Sequence, residues 1–129
     1  VPVLGMGTED FPAFYCRKSG CKVDRRVDSA AEVARILHTK WELGLKGGAV
    51  IGNPIPAEYE LDYDEMEKVI NRALDAAKAE GIHGKDTTPF LLAHIKEYTK
   101  GVSLASNLQL AYNNARVAAH IAVEMSKLG

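Results

Sequence analysis

Asp28-Ser29-Ala30-Ala31-Glu32-Val33-Ala34-Arg35 and, a helix length later, Ala49-Val50-Ile51-Gly52-Asn53-Pro54 decide the fold class. Ser29-x-x-Glu32 is a capping-box pattern, in which the serine hydroxyl accepts from a free N–H of the first turn and the glutamate reaches back. Ala30, Val33, Ala34, Leu37, Trp41 and Leu45 then recur at helical spacing. Gly44 and Gly47-Gly48 supply the stop. The apolar run Ala49-Val50-Ile51 reads as a short strand, and Pro54 and Pro56 prevent its continuation.

Toward the N-terminus, Val1-Pro2-Val3-Leu4-Gly5-Met6 reads as a second buried strand, followed by a loop from Thr8 to Pro12. Ala13 to Val27 alternates loosely about Lys18-Ser19-Gly20, predicting two short extended pieces joined by a turn. Toward the C-terminus, Asp62, Asp64, Glu65 and Glu67 place negative charge where a helix dipole favours it. Met66, Val69, Ile70, Ala73, Leu74 and Ala77 form the apolar face of that helix, and Gly81 ends it. Thr88 suits an N-cap and Pro89 the first helical position of a helix over Phe90 to Tyr98. Ser103 suits the cap of a last helix running almost to Lys127.

The order is strand, extended pair, helix, strand, then three helices, an α/β pattern. Only two core strands are legible, too few to cover these helices, so further strands are expected from elsewhere. The last helix carries a stripe of mostly small residues (Leu104, Leu108, Ala111, Ala115, Ala118, Ala119, Ala122), which predicts deep packing inside a larger body. The chain starts Val1-Pro2 inside a strand pattern. The first residues are therefore expected to lie in the middle of a longer polypeptide.

Composition sets wider bounds. With 47% hydrophobic and 26% charged residues and a net charge of −1, nothing steers the chain toward a membrane or nucleic acid. No apolar run approaches a membrane span. Cys16 and Cys21 form C-x4-C, neither a zinc nor a thioredoxin-like spacing, and read as reduced thiols of a cytoplasmic protein.

Four groups of residues are candidates for chemistry. Asn107 and Asn114, seven apart, share one helix face and either address a ligand or tie the helix to a neighbouring loop. Asn53 follows a strand end, where open α/β sheets bind ligands, or it closes a turn on its own backbone. Lys85 and the hydroxyls of Thr87 and Thr88 precede a helix start, a natural anion site when the residues do more than cap. Arg17, Lys18, Lys22, Arg25 and Arg26 read as a solvated or subunit-contacting face rather than an RNA site. His38, His83, His94 and His120 lack metal-ligand spacing. Spacing alone declares no reaction.

Several runs nevertheless occur together. They are Val1-Pro2-Val3-Leu4-Gly5, Phe11-Pro12-Ala13-Phe14-Tyr15, Asp28 to Arg35, Lys40-Trp41-Glu42-Leu43-Gly44-Leu45 and Asn53-Pro54-Ile55-Pro56. Gly84-Lys85, Thr88-Pro89-Phe90-Leu91-Leu92, Ser106-Asn107-Leu108-Gln109-Leu110 and Asn113-Asn114-Ala115 complete the set. In this order, across the whole chain, they resemble the pseudouridine-5′-phosphate glycosidase family, also called indigoidine synthase A-like. The resemblance implies a three-layer α/β/α sandwich of which this is the helix-rich C-terminal portion, assembled as a homotrimer. It implies reversible cleavage of the C–C glycosidic bond of pseudouridine 5′-phosphate to uracil and ribose 5-phosphate. The family uses a Schiff-base lysine, a proton-moving glutamate and a divalent metal, typically manganese. All of these are expected upstream of Val1, so no catalytic residue and no metal ligand is assigned within the chain. Asn107 matches an asparagine near the bound substrate; Asn53 and Thr88 fall in matching motifs without an assigned role. The chain is expected to be inactive alone. The alternative is a truncated, non-catalytic binding or oligomerisation module.

Overall fold

Ser29 is extended at the head of α1 (Ala30–Glu42), and its hydroxyl accepts from the Glu32 N–H at 3.1 Å. The Glu32 carboxylate accepts in turn from the Asp28 N–H at 3.1 Å, so the capping box closes one residue before the cap. The computed structural model describes residues 1–129. Its three strands, β1 (Val3–Met6), β2 (Arg25–Val27) and β3 (Val50–Gly52), form a parallel sheet in the order β2-β1-β3. Leu4 lies opposite Arg25 and Ile51, Gly5 opposite Arg26 and Gly52, and Met6 opposite Val27.

Side chains alternate across a strand. The register therefore puts Leu4, Met6, Val27 and Ile51 on one face. There Leu4 and Val27 meet Val33 of α1, with Ile36, Leu37 and Ile121 packed around them. Ile121 belongs to α4 (Val102–Lys127), so α1 and α4 cover the same face. Burying each of these aliphatic side chains stabilises by roughly 1.5–3 kcal/mol. A ladder hydrogen bond nets only about 1 kcal/mol, so packing contributes at least as much as the short ladders.

The opposite face is lined by Gly5 and Gly52. The loop between β1 and β2 folds onto it so closely that a Cβ on Gly5 would lie 2.2 Å from the Thr8 carbonyl oxygen. A Cβ on Gly52 would lie 2.8 Å from Pro12 Cδ. Glycine is needed here for space, since neither position has a positive φ.

A second cluster joins that loop to the other two helices. Tyr15 and Cys16 pack with Met66 and Ala73 of α2 (Tyr63–Ala79) and Ile95 of α3 (Thr87–Tyr98). Asp62 caps α2 by accepting from the Glu65 N–H at 2.9 Å. The α/β class is thus as the sequence indicates, with helices on one sheet face and a loop on part of the other. No helix is long and apolar enough to cross a membrane.

Several local expectations are corrected. Residues 13–27 do not form paired extended pieces. Only Arg25–Val27 is a strand, it runs parallel to β1, and the one antiparallel bridge joins Asp10 to Lys22. Insertion of Val27 beside Leu4 outweighs hairpin pairing, because Val27 is wholly buried there. Thr88 is not an N-cap. A 3-10 turn over Gly84–Asp86 runs straight into α3 with Asp86 already helical, leaving Thr88 the exposed second residue. Ser103 is not a cap either. Gly101, with φ 86°, takes that position, and the Thr99 hydroxyl accepts from the Ser103 N–H at 3.1 Å. α1 stops at Glu42, so Leu45 lies beyond it, and both Leu45 and Trp41 in its last turn are exposed. Within these 129 residues α4 buries Ser103, Ser106 and Leu110 and leaves Ala111, Ala115, Ala118, Ala119 and Ala122 exposed, which leaves the expected packing of that stripe in a larger body open.

Candidate functional site

The carboxyl ends of parallel strands are where α/β sheets place ligands, and one depression borders the end of β3 here. Asn53 is the first residue past β3, and the buried Pro54-Ile55 that follows fixes its direction. Its Nδ2 donates to Oδ1 of Asn114 on α4 at 2.9 Å. The pair borders a cleft of about 430 Å³ walled by Ile51, Val117, Ala118 and Ile121. An amide has two acceptor lone pairs and two donors, so Asn53 Oδ1 and Asn114 Nδ2 keep capacity for a further polar partner.

Asn107 is seven residues from Asn114, about 10 Å along the helix. It lines a different depression, of about 200 Å³, with Tyr15, Leu92, Ala93, Lys96, Ser103 and Leu104. Thr88 borders neither depression. The structure therefore does not gather Asn53, Thr88 and Asn107 into one site. It pairs Asn53 with Asn114 and sets Asn107 against Tyr15. Lys85 and Asp86 are exposed in the 3-10 turn.

The loop leaving β1 shapes the Asn107 depression. The Tyr15 N–H donates to the Ala13 carbonyl at 2.9 Å, a γ-turn centred on Phe14, whose φ is 68°. This sign of γ-turn is rare, and strained backbone of this kind costs of order 1–3 kcal/mol. The surroundings hold it. The Ala13 N–H donates to the Cys16 carbonyl at 3.0 Å, the Leu61 N–H to the Tyr15 carbonyl at 2.9 Å, and the Cys16 thiol to the Leu61 carbonyl at 3.2 Å. Arg17 reaches the Ile55 carbonyl through Nη1 at 2.8 Å. Tyr15 is 3% exposed and burial pushes its phenol above the ordinary range, with the Ser103 hydroxyl pulling it back. Phe14 is 43% exposed, edge-on to Tyr15 with ring centroids 4.8 Å apart. The sequence marks neither the strain nor this placement, because phenylalanine has no preference for positive φ.

Asp10 closes the same loop. One carboxylate oxygen accepts from Lys22 Nζ at 2.6 Å, and the other accepts from the Ser19 and Gly20 N–H groups at 3.3 and 3.2 Å. The Lys22 ammonium, then the Gly20 N–H, hold the Asp10 carboxyl below its ordinary 3.8. A depressed folded-state pKa stabilises above the unfolded value, and that stability is lost as pH falls through the lower one. Asp10→Asn is therefore expected to lower the melting temperature at neutral pH. It should also flatten the loss of stability on acidification below 3.8. Thermal melts of both proteins across acidic pH check this.

Two more cations of the run are engaged, Arg26 with Asp28 at 2.9 Å and Arg25 with Glu32 at 3.6 Å, while Lys18 is exposed. The run is thus spread over internal partners. Cys16 is buried and its thiol is pushed up to about 11, chiefly by burial, while Cys21 is exposed. Burial therefore keeps the Cys16 thiol protonated, and the thiolate is what reacts. Peptide mapping after brief iodoacetamide treatment should find Cys21 alkylated and Cys16 modified only in denaturant. No three His, Cys, Asp or Glu side chains converge into a metal site.

Residues 1–124 match the family model described as indigoidine synthase A like protein. The chain belongs to the indigoidine synthase A-like family. Among individual relatives, the pseudouridine-5′-phosphate glycosidase of Clostridium botulinum (strain Langeland) is 61% identical over 99% of this chain and 42% of that protein. The enzyme of the same name from Caldanaerobacter subterraneus subsp. tengcongensis is 56% identical over the same shares. An indigoidine synthase A-like protein of Thermotoga maritima superposes with a TM-score of 0.83 at 36% identity, over 97% of this chain and 41% of that one. The prealnumycin C-glycosynthase AlnA, solved with ribulose 5-phosphate, gives 0.86 at 27% identity, over 99% of this chain and 42% of that one. The chain spans about 42% of the length of the curated relatives it matches.

Proposed function

We propose that residues 1–129 form the C-terminal part of a cytoplasmic, homotrimeric pseudouridine-5′-phosphate glycosidase. The reaction is the reversible cleavage of the C–C bond between uracil and ribose 5-phosphate. The observation that carries the reading is the 61% identity to a protein of that name across 99% of this chain. The Asn107 depression supports it, since the loop leaving the carboxyl end of β1 brings Tyr15 against α4 there.

A C-glycosidic bond offers no leaving-group oxygen to protonate. A lysine amine that forms a Schiff base with the ring-opened sugar supplies an electron sink instead. That lysine, the proton-moving glutamate and the residues holding a divalent metal, manganese by family resemblance, belong to the remainder of the protein. The metal would polarise substrate oxygens. This part contributes one wall of the pocket. Asn107 presents a donor and an acceptor side by side, the complement of a pyrimidine lactam edge. Asn53 and Asn114, bonded to each other, hold α4 to the end of β3 and so set the position of Asn107 along the helix. Thr88, exposed at the start of α3, falls in a matching motif and is given no role.

The test uses the full-length protein in the synthetic direction. Uracil and ribose 5-phosphate should condense to pseudouridine 5′-phosphate, detected by mass and by resistance of the product to acid hydrolysis. A protein that is folded and supplied with manganese, yet forms none, overturns the reading.

A further inference from the structure

The sheet has two edges, and their residues differ in kind. On β2, Arg25 pairs with Glu32 and Arg26 with Asp28, and charged side chains on an edge strand discourage further pairing. On β3 the residues are Val50, Ile51 and Gly52, without a charge. The Val50 N–H donates to the Pro2 carbonyl at 2.9 Å. Backbone groups alternate sides along a strand, so the Ile51 N–H and C=O point away from β1, out of the open edge. Beside that edge lies the cleft of about 430 Å³ that Ile51 shares with Val117, Ala118 and Ile121 of α4. Ile51 and Ile121 also pack on the cluster of Leu4, Val27 and Val33, so the cleft is an open side of the core. The exposed area agrees. Residues 1–129 expose 8182 Å², about 1,500 Å² more than a self-contained protein of 14.0 kDa. That excess is larger than the roughly 800 Å² each partner gives to a standard interface.

We propose that a strand from the part of the same polypeptide upstream of Val1 pairs along β3 through the Ile51 backbone, and that its side chains fill the cleft. The cleft is then core of the whole protein rather than a ligand pocket, and the sheet ends at β2. From the reading under Proposed function this takes only that the polypeptide extends upstream. More than half of each matched relative lies outside the region aligned with this chain, length enough for further strands.

The experiment is hydrogen exchange at single-residue resolution on the full-length protein. The Asp24 N–H donates to the Val3 carbonyl at 2.9 Å, so the Arg25 N–H is the matching outward group of β2. The Ile51 amide is expected to exchange as slowly as that of Leu4 in the central strand, and the Arg25 amide fast. Ala118→Leu is expected to lower the melting temperature by several degrees, because a filled cleft has no room for the larger side chain. A photoreactive diazirine side chain in place of Val117 should cross-link within one chain, to a peptide upstream of Val1. Fast exchange at Ile51, or an Ala118→Leu variant as stable as wild type, overturns the proposal. Cross-links between labelled and unlabelled copies in an isotope-mixed sample also overturn it and make the β3 edge a contact between copies. Condensation of uracil with ribose 5-phosphate is assayed on the same protein. An active sample with a fast Ile51 amide sinks this proposal and leaves the glycosidase reading standing; an inactive sample with a slow Ile51 amide does the reverse.

Discussion

Asn107→Ala in the full-length protein is expected to lower kcat/KM for uracil release by about 10- to 100-fold, with the fold intact. The size follows from removing one hydrogen-bonding partner in a pocket, where an unpaired polar group costs about 1–3 kcal/mol. The fold should survive because Asn107 is only partly buried and borders an open depression beside Tyr15 and Lys96. Asn107→Asp preserves shape and removes the donor, so it should lose activity as well if the amide donates to a uracil carbonyl. Steady-state kinetics together with thermal melts of both variants check the two halves of this statement. Activity within twofold of wild type in both would remove Asn107 from the substrate site.

The second large effect is on folding. Gly5→Ala is expected to destabilise the protein by about 3 kcal/mol or more, the upper part of the range for overpacking. The added methyl would meet the Thr8 carbonyl oxygen at 2.2 Å and Val23 Cγ2 at 3.0 Å. The first of these is backbone, three residues ahead in a tight return, and it cannot swing aside as a side chain would. Moving Gly5 instead would disturb the centre of the sheet, since it is paired to β2 on one side and β3 on the other. Against a total stability of roughly 5–15 kcal/mol, a loss of this size is read directly from urea melts. By contrast Gly48, next to whose Cβ position nothing lies within 4 Å, should accept alanine with little change.

Part of the fold is legible in the amino-acid sequence, for identifiable reasons. Ser29 and Glu32 declare a helix start within four residues, and the apolar positions of α1 and α2 recur at short range. Those elements lie where the sequence puts them, and so do β1 and β3. β2 is another matter. Arg25-Arg26-Val27 has no apolar alternation, and only the depth of Val27 against Leu4 makes it a strand. The start of α3 escapes local reading because a 3-10 turn can merge into a helix without an extended cap residue. At the site, Asn53, Asn107 and Asn114 are each visible as polar residues in apolar company. The pairing of Asn53 with Asn114, 61 residues apart, is a tertiary fact that no local pattern encodes. The γ-turn at Phe14 is hidden for the opposite reason. Its local preference argues against it, and only the packing of Tyr15 and Cys16 imposes it.

On the function proposed above, this stretch is a necessary but insufficient part of a pseudouridine-5′-phosphate glycosidase. The decisive comparison is uracil release from pseudouridine 5′-phosphate by the full-length protein and by a purified chain of residues 1–129, each with manganese. Turnover is expected from the full-length protein and none from the 129 residues alone. Turnover by the 129 residues, or none by a folded full-length protein, would contradict that function.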